Sequence, residues 1–416
     1  MTTLCLLTGA LHGMAGGRRP AMGPETTLAN VLSALRAECE DMIPPQARLF
    51  DAHTHLGLDE DGRSLDLPGL LSQLDEASVA RAAVFPLHDP ERRPAYRLPN
   101  DRVLGWAAES AGRLVPFCRL DPFEDPIGEG HRALAAGARG IKLHPRAQSF
   151  TFHEDGLGGA LRGIFGLAEE ARVPILIHAG RGLPPIAEGL AALALEHPEV
   201  VLILAHGAIC DQGILSAGLA EHDRILYDTS CFYPLDLSAL FARVPAERIV
   251  FGSDPPYGRP AGGLYLTLRA ARAAGLDEEA TRLVLGETME GLLAGRGLPP
   301  RQQPRGSMAL SISTRLMRLY AYTSLAGPAL FNGMVAPARE SLELALGVCR
   351  DPEPGADREL LESAAESLSG ALAILRGEDA AEPANRTAAF ALIRGPMVRA
   401  ATEDAIRENA APALPT

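Results

Sequence analysis

Two histidines separated by one residue close the first strongly apolar segment of the chain. His53 and His55 stand in RLFDAHTHLG, residues 48–57. Side chains alternate along a β-strand, so both imidazoles are expected to project from the same face. Two imidazoles placed in this way are near enough to share one metal ion. The pair therefore predicts part of a metal site.

Further polar residues close later apolar segments. They are Lys142 and His144 in GIKLHP, His178 in ILIHAG, His206 in LAHGA and Asp254 in FGSDPPYG. A single histidine at a strand end is often only a hydrogen-bonded structural residue. Burying several imidazoles without a charge partner is costly, however, whereas one metal satisfies them together. The set therefore predicts a divalent metal site.

Eight short apolar segments must position these residues. They span 48–57, 81–87, 114–120, 138–144, 173–178, 200–206, 225–230 and 249–254. They recur about every 22 to 34 residues with helical patterns between them, which is typical of βα units. An open doubly wound sheet would carry a Gly-rich phosphate loop after its first strand, and DAHTHLGLDEDG is not one. We therefore predict an α/β fold, a (β/α)8 TIM-type barrel whose polar strand ends meet at one face.

Three regions divide the chain. Residues 1–47 are predicted to be a partly disordered or helical N-terminal segment, and residues 48–300 the barrel. A Pro-rich linker at 298–307 leads into residues 301–416, where apolar stripes such as Leu361, Leu368, Leu372 and Leu375 predict an all-helical extension. The role of this extension stays open. It could cover the side of the barrel, close over the site or form a homodimer, and the barrel itself could also form one.

Composition excludes several partners. Acidic residues exceed basic ones, giving a net charge of −13, and no basic stretch is present, so no nucleic-acid partner is expected. No apolar run approaches the roughly 20 residues that span a bilayer. The six cysteines form no C-x-x-C pair, which favours reduced thiols and a cytoplasmic location. In the N-terminal segment the arginines follow the apolar run, the reverse of a signal peptide.

The five motifs, in this order, resemble the amidohydrolase superfamily. The similarity spans about residues 48–295 and is greatest to the amidohydrolase-related branch that includes aminocarboxymuconate semialdehyde decarboxylase. The resemblance implies that His53, His55, His178 and Asp254 bind one metal ion, usually zinc. His206 would hold a second metal or polarise the substrate.

Lys142 matches a lysine that bridges two metals in some members of this superfamily when it is carboxylated. The GIKLHP context favours instead a lysine that pairs with an aspartate or with the substrate, so one ion is expected rather than two. In such a site the metal lowers the pKa of water from 15.7 towards roughly 7. Asp254 would move the proton and His206 would stabilise the oxyanion as catalytic residues.

These roles predict hydrolysis of an amide, ester or lactone by a metal-activated water. The alternative is metal-dependent, non-oxidative decarboxylation of an aromatic or unsaturated carboxylic acid, since both reactions share these motifs. A non-catalytic scaffold is disfavoured because every expected ligand position is filled.

Arginines follow several strands. Arg146, Arg181 and Arg259 stand just after the fourth, fifth and eighth segments, and Arg119 closes the third. Guanidinium groups bind carboxylates in bidentate fashion, so with His144 the three loop arginines predict binding of a small anionic substrate. The alternative is that they pair with acidic residues at the same rim.

Overall fold

The apolar segments form the strands of a closed barrel. The computed structural model describes residues 24–152, 157–183, 186–213, 215, 222–231, 233–304, 312–350 and 355–410, so the predictions for residues 1–23 lie outside it. The strands are β1 (Phe50–Leu58), β2 (Ser64–Leu65), β3 (Arg81–Pro86), β4 (Leu114–Pro116), β5 (Cys118–Arg119), β6 (Ile141–Leu143), β7 (Ile175–Ile177), β8 (Leu202–Leu204), β9 (Ile225–Asp228) and β10 (Ile249–Val250). All eight predicted segments contain a strand, and β2 only forms a hairpin with β1.

Two parallel ladders join into one barrel. The strand orders are β1-β3-β4 and β5-β6-β7-β8-β9-β10. β4 and β5 are one strand that changes partner at Phe117, whose N–H donates to Val84 on β3 before Cys118 donates to Gly140 beside β6. On the other side, Ala52 of β1 donates to the carbonyl of Phe251 at 2.8 Å. The predicted (β/α)8 barrel is confirmed.

Helices connect and cover the strands. They are α2 (Leu67–Glu76), α3 (Arg97–Glu109), α4 (Pro126–Ala135), α5 (Gly158–Ala171), α6 (Ala187–Glu196), α7 (Pro234–Arg243), α8 (Pro260–Ala273), α9 (Glu278–Arg282) and α10 (Thr288–Leu293). α1 (Pro24–Met42) precedes the barrel. The carboxylates of Asp66 and Asp125 accept backbone N–H groups at the starts of α2 and α4, where four donors lack helical partners.

The barrel has an inner and an outer core. Side chains such as Phe50, Phe85 and Leu226 fill its interior, and all three are fully buried. Alternate strand residues, such as Ile141 and Ile175, point outward and pack against the helices. Burial on both faces explains why the strands are almost continuously apolar.

Helices after the linker form the predicted all-helical extension. They are α11 (Thr314–Phe331), α12 (Val335–Cys349), α13 (Arg358–Leu375) and α14 (Pro383–Ala410). The predicted stripe on α13 is buried in their common core, where Leu368 is fully buried. α1 also packs here, since Leu28 and Val31 contact this core. The extension meets the barrel mainly where α14 packs on α8. The domain limits at 47/48 and 300/301 stay predictions.

The sequence also predicts that no segment spans a membrane and that the cysteines are reduced. No helix in the described part of the chain is long and apolar enough to cross a membrane. The five cysteines that the structure describes, Cys39, Cys118, Cys210, Cys231 and Cys349, are all unpaired.

Candidate metal centre

Three side chains converge where β1 ends and the loop after β10 begins. The Nε2 atoms of His53 and His55 each lie 3.2 Å from Oδ1 of Asp254. His53 Nε2 and Asp254 Oδ1 are buried and have no hydrogen-bond partner among the residues that the structure describes. Ligand atoms about 3.3 Å apart are what a tetrahedral site with bonds of about 2.0–2.1 Å requires. The three residues fit a divalent cation, which would satisfy buried atoms that otherwise stay unpaired.

Asp228, at the end of β9, fixes the orientation of His53. The Nδ1–H of His53 donates to Oδ2 of Asp228 at 2.7 Å, so Nε2 carries the lone pair that faces Asp254. Burial would raise the pKa of Asp228, but the charge and hydrogen bond of His53 outweigh it and hold the pKa at about 2. A carboxylate behind a metal-binding histidine sets its tautomer and raises its basicity. Asp228 therefore acts on the candidate metal site through His53.

The backbone holds two site residues in an uncommon conformation. Asp254 has φ of 60° and His206 has φ of 58°, in the left-handed region that is costly for residues other than glycine. The N–H of Asp254 donates to the carbonyl of His53 at 2.8 Å, and the N–H of His206 donates to Oδ1 of Asp228 at 2.8 Å. These bonds to neighbouring strands compensate the strain and fix the positions of both residues.

A chain of histidines continues from the metal group. His206 Nδ1 lies 2.9 Å from the carbonyl oxygen of Ser230, which can only accept, so Nδ1 carries the proton and Nε2 the lone pair. The Nδ1 of His178 lies 3.0 Å from this Nε2 and donates to it. The ring of His178 stacks on His144 at 3.8 Å. Hence His178 and His206 stand beside the convergent group, and each is held as a defined tautomer.

Lys142 is buried at the same end of the barrel. Its side chain is fully buried, its Nζ has no hydrogen-bond partner, and it lies 4.6 Å from the ring centre of Phe85. Burial lowers the pKa of this amine to about 7. Burial likewise lowers the pKa of His55 to about 3, so His55 is neutral and able to bind a metal at neutral pH.

A family model described as amidohydrolase matches residues 50–292, more than half of the chain. The chain belongs to the amidohydrolase family. The resemblance carried by the five motifs is thus confirmed, and the protein is an enzyme of the hydrolase class. This amidohydrolase contains a residue group that fits the divalent metal on which the superfamily generally depends. No curated protein sequence matches this chain.

Solved structures with low sequence identity match the barrel. A probable 2-pyrone-4,6-dicarboxylic acid hydrolase from Acinetobacter baumannii, with citric acid bound, is 15% identical, with a TM-score of 0.45 over 59% of this chain and 99% of that chain. A 4-oxalomesaconate hydratase from Rhodopseudomonas palustris is 14% identical, with a TM-score of 0.45 over 59% of this chain and 95% of that chain.

The loop arginines of this amidohydrolase differ in their surroundings. Arg181 pairs with Asp236 at 2.5 Å, and Arg259 pairs with Glu76 at 3.2 Å. The alternative interpretation, pairing with acidic residues at the rim, therefore describes these two. Arg146 is exposed and has no ion pair among the described residues. Substrate binding by the three arginines and by His144 stays a prediction.

Two features of the site, Phe85 and Asp51, could not be found from the sequence. Phe85 packs against His55 with ring centres 4.5 Å apart, although it stands in an ordinary apolar strand. Asp51 accepts the backbone N–H groups of His53 and Ser253, both at 3.0 Å. Lys142 carries a signal that a sequence alone displays. It is the one lysine among the 39 lysine and arginine residues of the chain.

Proposed function

We propose that this amidohydrolase is a metal-dependent enzyme that hydrolyses an amide, ester or lactone bond of a small anionic substrate. The convergence of His53, His55 and Asp254 is the observation that carries this proposal. Zinc is the favoured ion, since two imidazoles and a carboxylate are a typical catalytic zinc set. When bound there, such a cation supplies Lewis-acid polarisation of the scissile carbonyl and activation of a water molecule.

His178 is proposed as a further ligand of the same ion. Its Nδ1 is committed to His206, which leaves the lone pair on Nε2, and no described residue donates to that atom. A neutral histidine with a free Nε2 is the form that binds metals. One ion is favoured over two, because among the described residues Lys142 has no carboxylate within 4.0 Å, and its amine lies 4.6 Å from the ring centre of Phe85.

Asp254 is proposed to handle the proton of the attacking water. Only its Oδ1 faces the two histidines, so Oδ2 is available to accept a proton. Its pKa lies well below the usual range because the contacts with His53 and His55 outweigh burial, which by itself would raise the pKa. The Nε2 of His206 accepts the Nδ1–H of His178 and the Nδ1–H of His206 is donated to Ser230, so the catalytic or second-metal role of His206 stays a prediction.

An anionic substrate is supported by buried basic groups that have no carboxylate partner among the described residues. Neither Lys142 nor Arg119 has an acidic partner within 4.0 Å among the described residues, and both are almost fully buried. Arg119 contacts the carbonyl of Pro86 and the ring of Tyr96 instead. A buried guanidinium without an acidic partner near a metal site favours binding of a carboxylate, and a carboxylate bound beside Lys142 would raise the pKa of its amine.

The remaining assignments belong to the same proposal. A homodimer through the barrel or the helical extension, the lack of a nucleic-acid partner and a cytoplasmic location all stay predictions. The decarboxylase alternative is not favoured, since the matching family model is that of a hydrolase family.

Turnover by purified protein tests the proposal. We expect zinc-reconstituted enzyme to hydrolyse members of an ester, lactone and amide panel, with no CO₂ release from aromatic carboxylic acids. Asp254→Asn should lower kcat by a factor of about 100 to 1,000, the size of effect seen when a group acting in the transition state is removed. Release of CO₂ without hydrolysis, or full turnover by Asp254→Asn, would contradict it.

A further inference from the structure

A cavity of about 700 Å³ lies between the barrel and the helical extension. On the barrel side it is lined by Asp254 and Ser230, and Asp254 is the one member of the metal group that reaches it. On the other side it is lined by α1, by the end of α11 and by α14. Its volume is typical of a site for a small organic molecule. The cavity therefore connects the metal group with helices outside the barrel.

Arg394 on α14 lines this cavity and has no acidic partner. Among the described residues it forms no hydrogen bond and no ion pair, and its Nε is buried without a partner. Its guanidinium lies over Phe390, 5.6 Å from the ring centre. It also lies against Gly262, where a Cβ atom would stand 1.9 Å from its Nη1. A glycine at this point of α8 leaves the room that the guanidinium occupies.

The other arginines of the cavity are all engaged. Arg36 pairs with Glu40, Arg63 with Asp61, Arg259 with Glu76, and Arg386 donates to the carbonyl of Leu330. Burial lowers the pKa of Arg394 to about 10, so it stays cationic at neutral pH. A buried charge without a partner destabilises a fold. Such a charge is explained when a ligand supplies the missing partner.

Most of the remaining wall is apolar. α1 contributes Leu28, Leu32 and Leu35, and α14 contributes Phe390. Leu32 is 40% exposed although it is a large apolar side chain. The cavity thus presents an apolar surface, a cation on one wall and a metal-group carboxylate on another. This combination matches a molecule with an apolar body and a single anionic end.

We propose that the cavity binds an amphipathic carboxylate, with its apolar body along α1 and its carboxylate paired with Arg394. The second part of this inference is that the bound molecule is the substrate and that its scissile bond lies towards Asp254. This second part rests on the proposed function. The helical extension then determines specificity, because Arg394 belongs to α14.

Binding of octanoate and of 1-octanol, measured by isothermal titration calorimetry on the metal-containing full chain, tests the first part. Wild type should bind octanoate about 10-fold more tightly than 1-octanol or better, as expected for a charge-assisted pair. Arg394→Met should abolish this preference, and Arg394→Lys should keep part of it. Arg36→Met is the matched control, since Arg36 lines the same cavity but has its own carboxylate, and it should behave like wild type.

A stability measurement and one further variant keep the result interpretable. Arg394→Met should melt at the same temperature as wild type or higher, because an unpaired buried charge is lost. Gly262→Ala should weaken octanoate binding without altering any charge, since its methyl group displaces the guanidinium. The proposal is overturned if octanoate preference persists in both Arg394→Met and Gly262→Ala, or if wild type shows no preference.

Hydrolysis of two esters tests the second part. The 4-nitrophenyl monoester of nonanedioic acid carries a distal carboxylate, and 4-nitrophenyl nonanoate does not. Arg394→Met should raise KM about 10-fold for the first ester only, with kcat nearly unchanged. An equal change for both esters would overturn the assignment of the substrate carboxylate to Arg394. If wild type hydrolyses neither these esters nor any member of the ester, lactone and amide panel, the proposed hydrolase function fails, while calorimetry still decides whether Arg394 binds the carboxylate.

Discussion

The hydrogen bond between Asp228 and His53 predicts a large effect of a very small substitution. In Asp228→Asn one oxygen becomes an NH2 group. Oδ1 of Asp228 accepts backbone N–H groups of His206 at 2.8 Å and of Ser230 at 3.0 Å. These two donors require an oxygen at that position, so the NH2 group must face Nδ1 of His53. His53 Nδ1 then has to accept, and its proton moves to Nε2, the atom that faces Asp254.

A protonated Nε2 cannot bind a metal ion. Losing a carboxylate behind a metal-binding histidine typically weakens metal affinity by about 10- to 100-fold, or about 1.4–2.8 kcal/mol. We expect the upper end of this range for Asp228→Asn, because the tautomer is reversed rather than merely released. Competition between the metal-free protein and a chromophoric chelator for zinc at neutral pH measures the affinity directly.

Asp211→Asn is a matched control for this experiment. Asp211 is also a buried aspartate that accepts two backbone N–H groups, from Ile186 and Ala187, but it does not contact the metal group. The zinc affinity of the Asp211→Asn protein should stay within about twofold of that of wild type, a difference of roughly 0.4 kcal/mol in binding free energy. Equal zinc affinity of folded Asp228→Asn and wild type would refute the orienting role of Asp228.

Three other substitutions test the site and the two cores, and a fourth, Gly105→Ala, serves as a control. Lys142→Arg keeps a positive charge but removes the amine, so it should lower kcat/KM at least about 10-fold. Bound zinc, measured by mass spectrometry, should stay at one equivalent. Loss of half the bound metal would show instead that Lys142 bridges two ions. Gly286→Ala places a Cβ atom 2.1 Å from the carbonyl oxygen of Arg48 and should lower the melting temperature by several degrees. Gly105 lies inside a helix with nothing within 4 Å of an added Cβ atom, so Gly105→Ala is the control for Gly286→Ala. It should raise the free energy of unfolding, measured in urea, by about 1 kcal/mol, and a lower free energy of unfolding would contradict this expectation. Leu368→Ala should lower the free energy of unfolding by about 2–5 kcal/mol, and a loss below 1 kcal/mol would mean that the core of the extension is loosely packed.

The barrel could be predicted from the sequence because each strand carries its own signal. β7 and β8 lie inside short apolar segments that end at His178 and His206, and burial on both faces requires just such segments. The alternation of His53 and His55 likewise placed both rings on one face. These properties are local, so a single sequence displays them.

Contacts between distant residues could not be predicted in this way. Arg181 pairs with Asp236, 55 residues away, and Arg259 with Glu76, 183 residues away. No local pattern distinguishes these arginines from Arg394, which has no ion-pair partner in the described part of the chain. The packing of α1 with the helical extension was also unforeseen, because the apolar face of one helix does not specify which other helices cover it.

Lys142 shows that composition can carry a site-level signal. This chain uses arginine at almost every basic position, so its single lysine is not explained by a need for positive charge alone. An amine that loses its charge readily on burial offers chemistry that a guanidinium does not. The structure adds that this amine is fully buried beside Phe85.

Metal content, measured by inductively coupled plasma mass spectrometry after zinc titration and desalting, tests the central claim most directly. We expect one equivalent of zinc per chain in the wild type. The double variant His53→Ala/His55→Ala should hold less than about a tenth of an equivalent, because two of the three convergent ligands are removed. Wild-type protein that binds no metal, or a double variant that still holds one equivalent, would contradict the assignment of the metal centre.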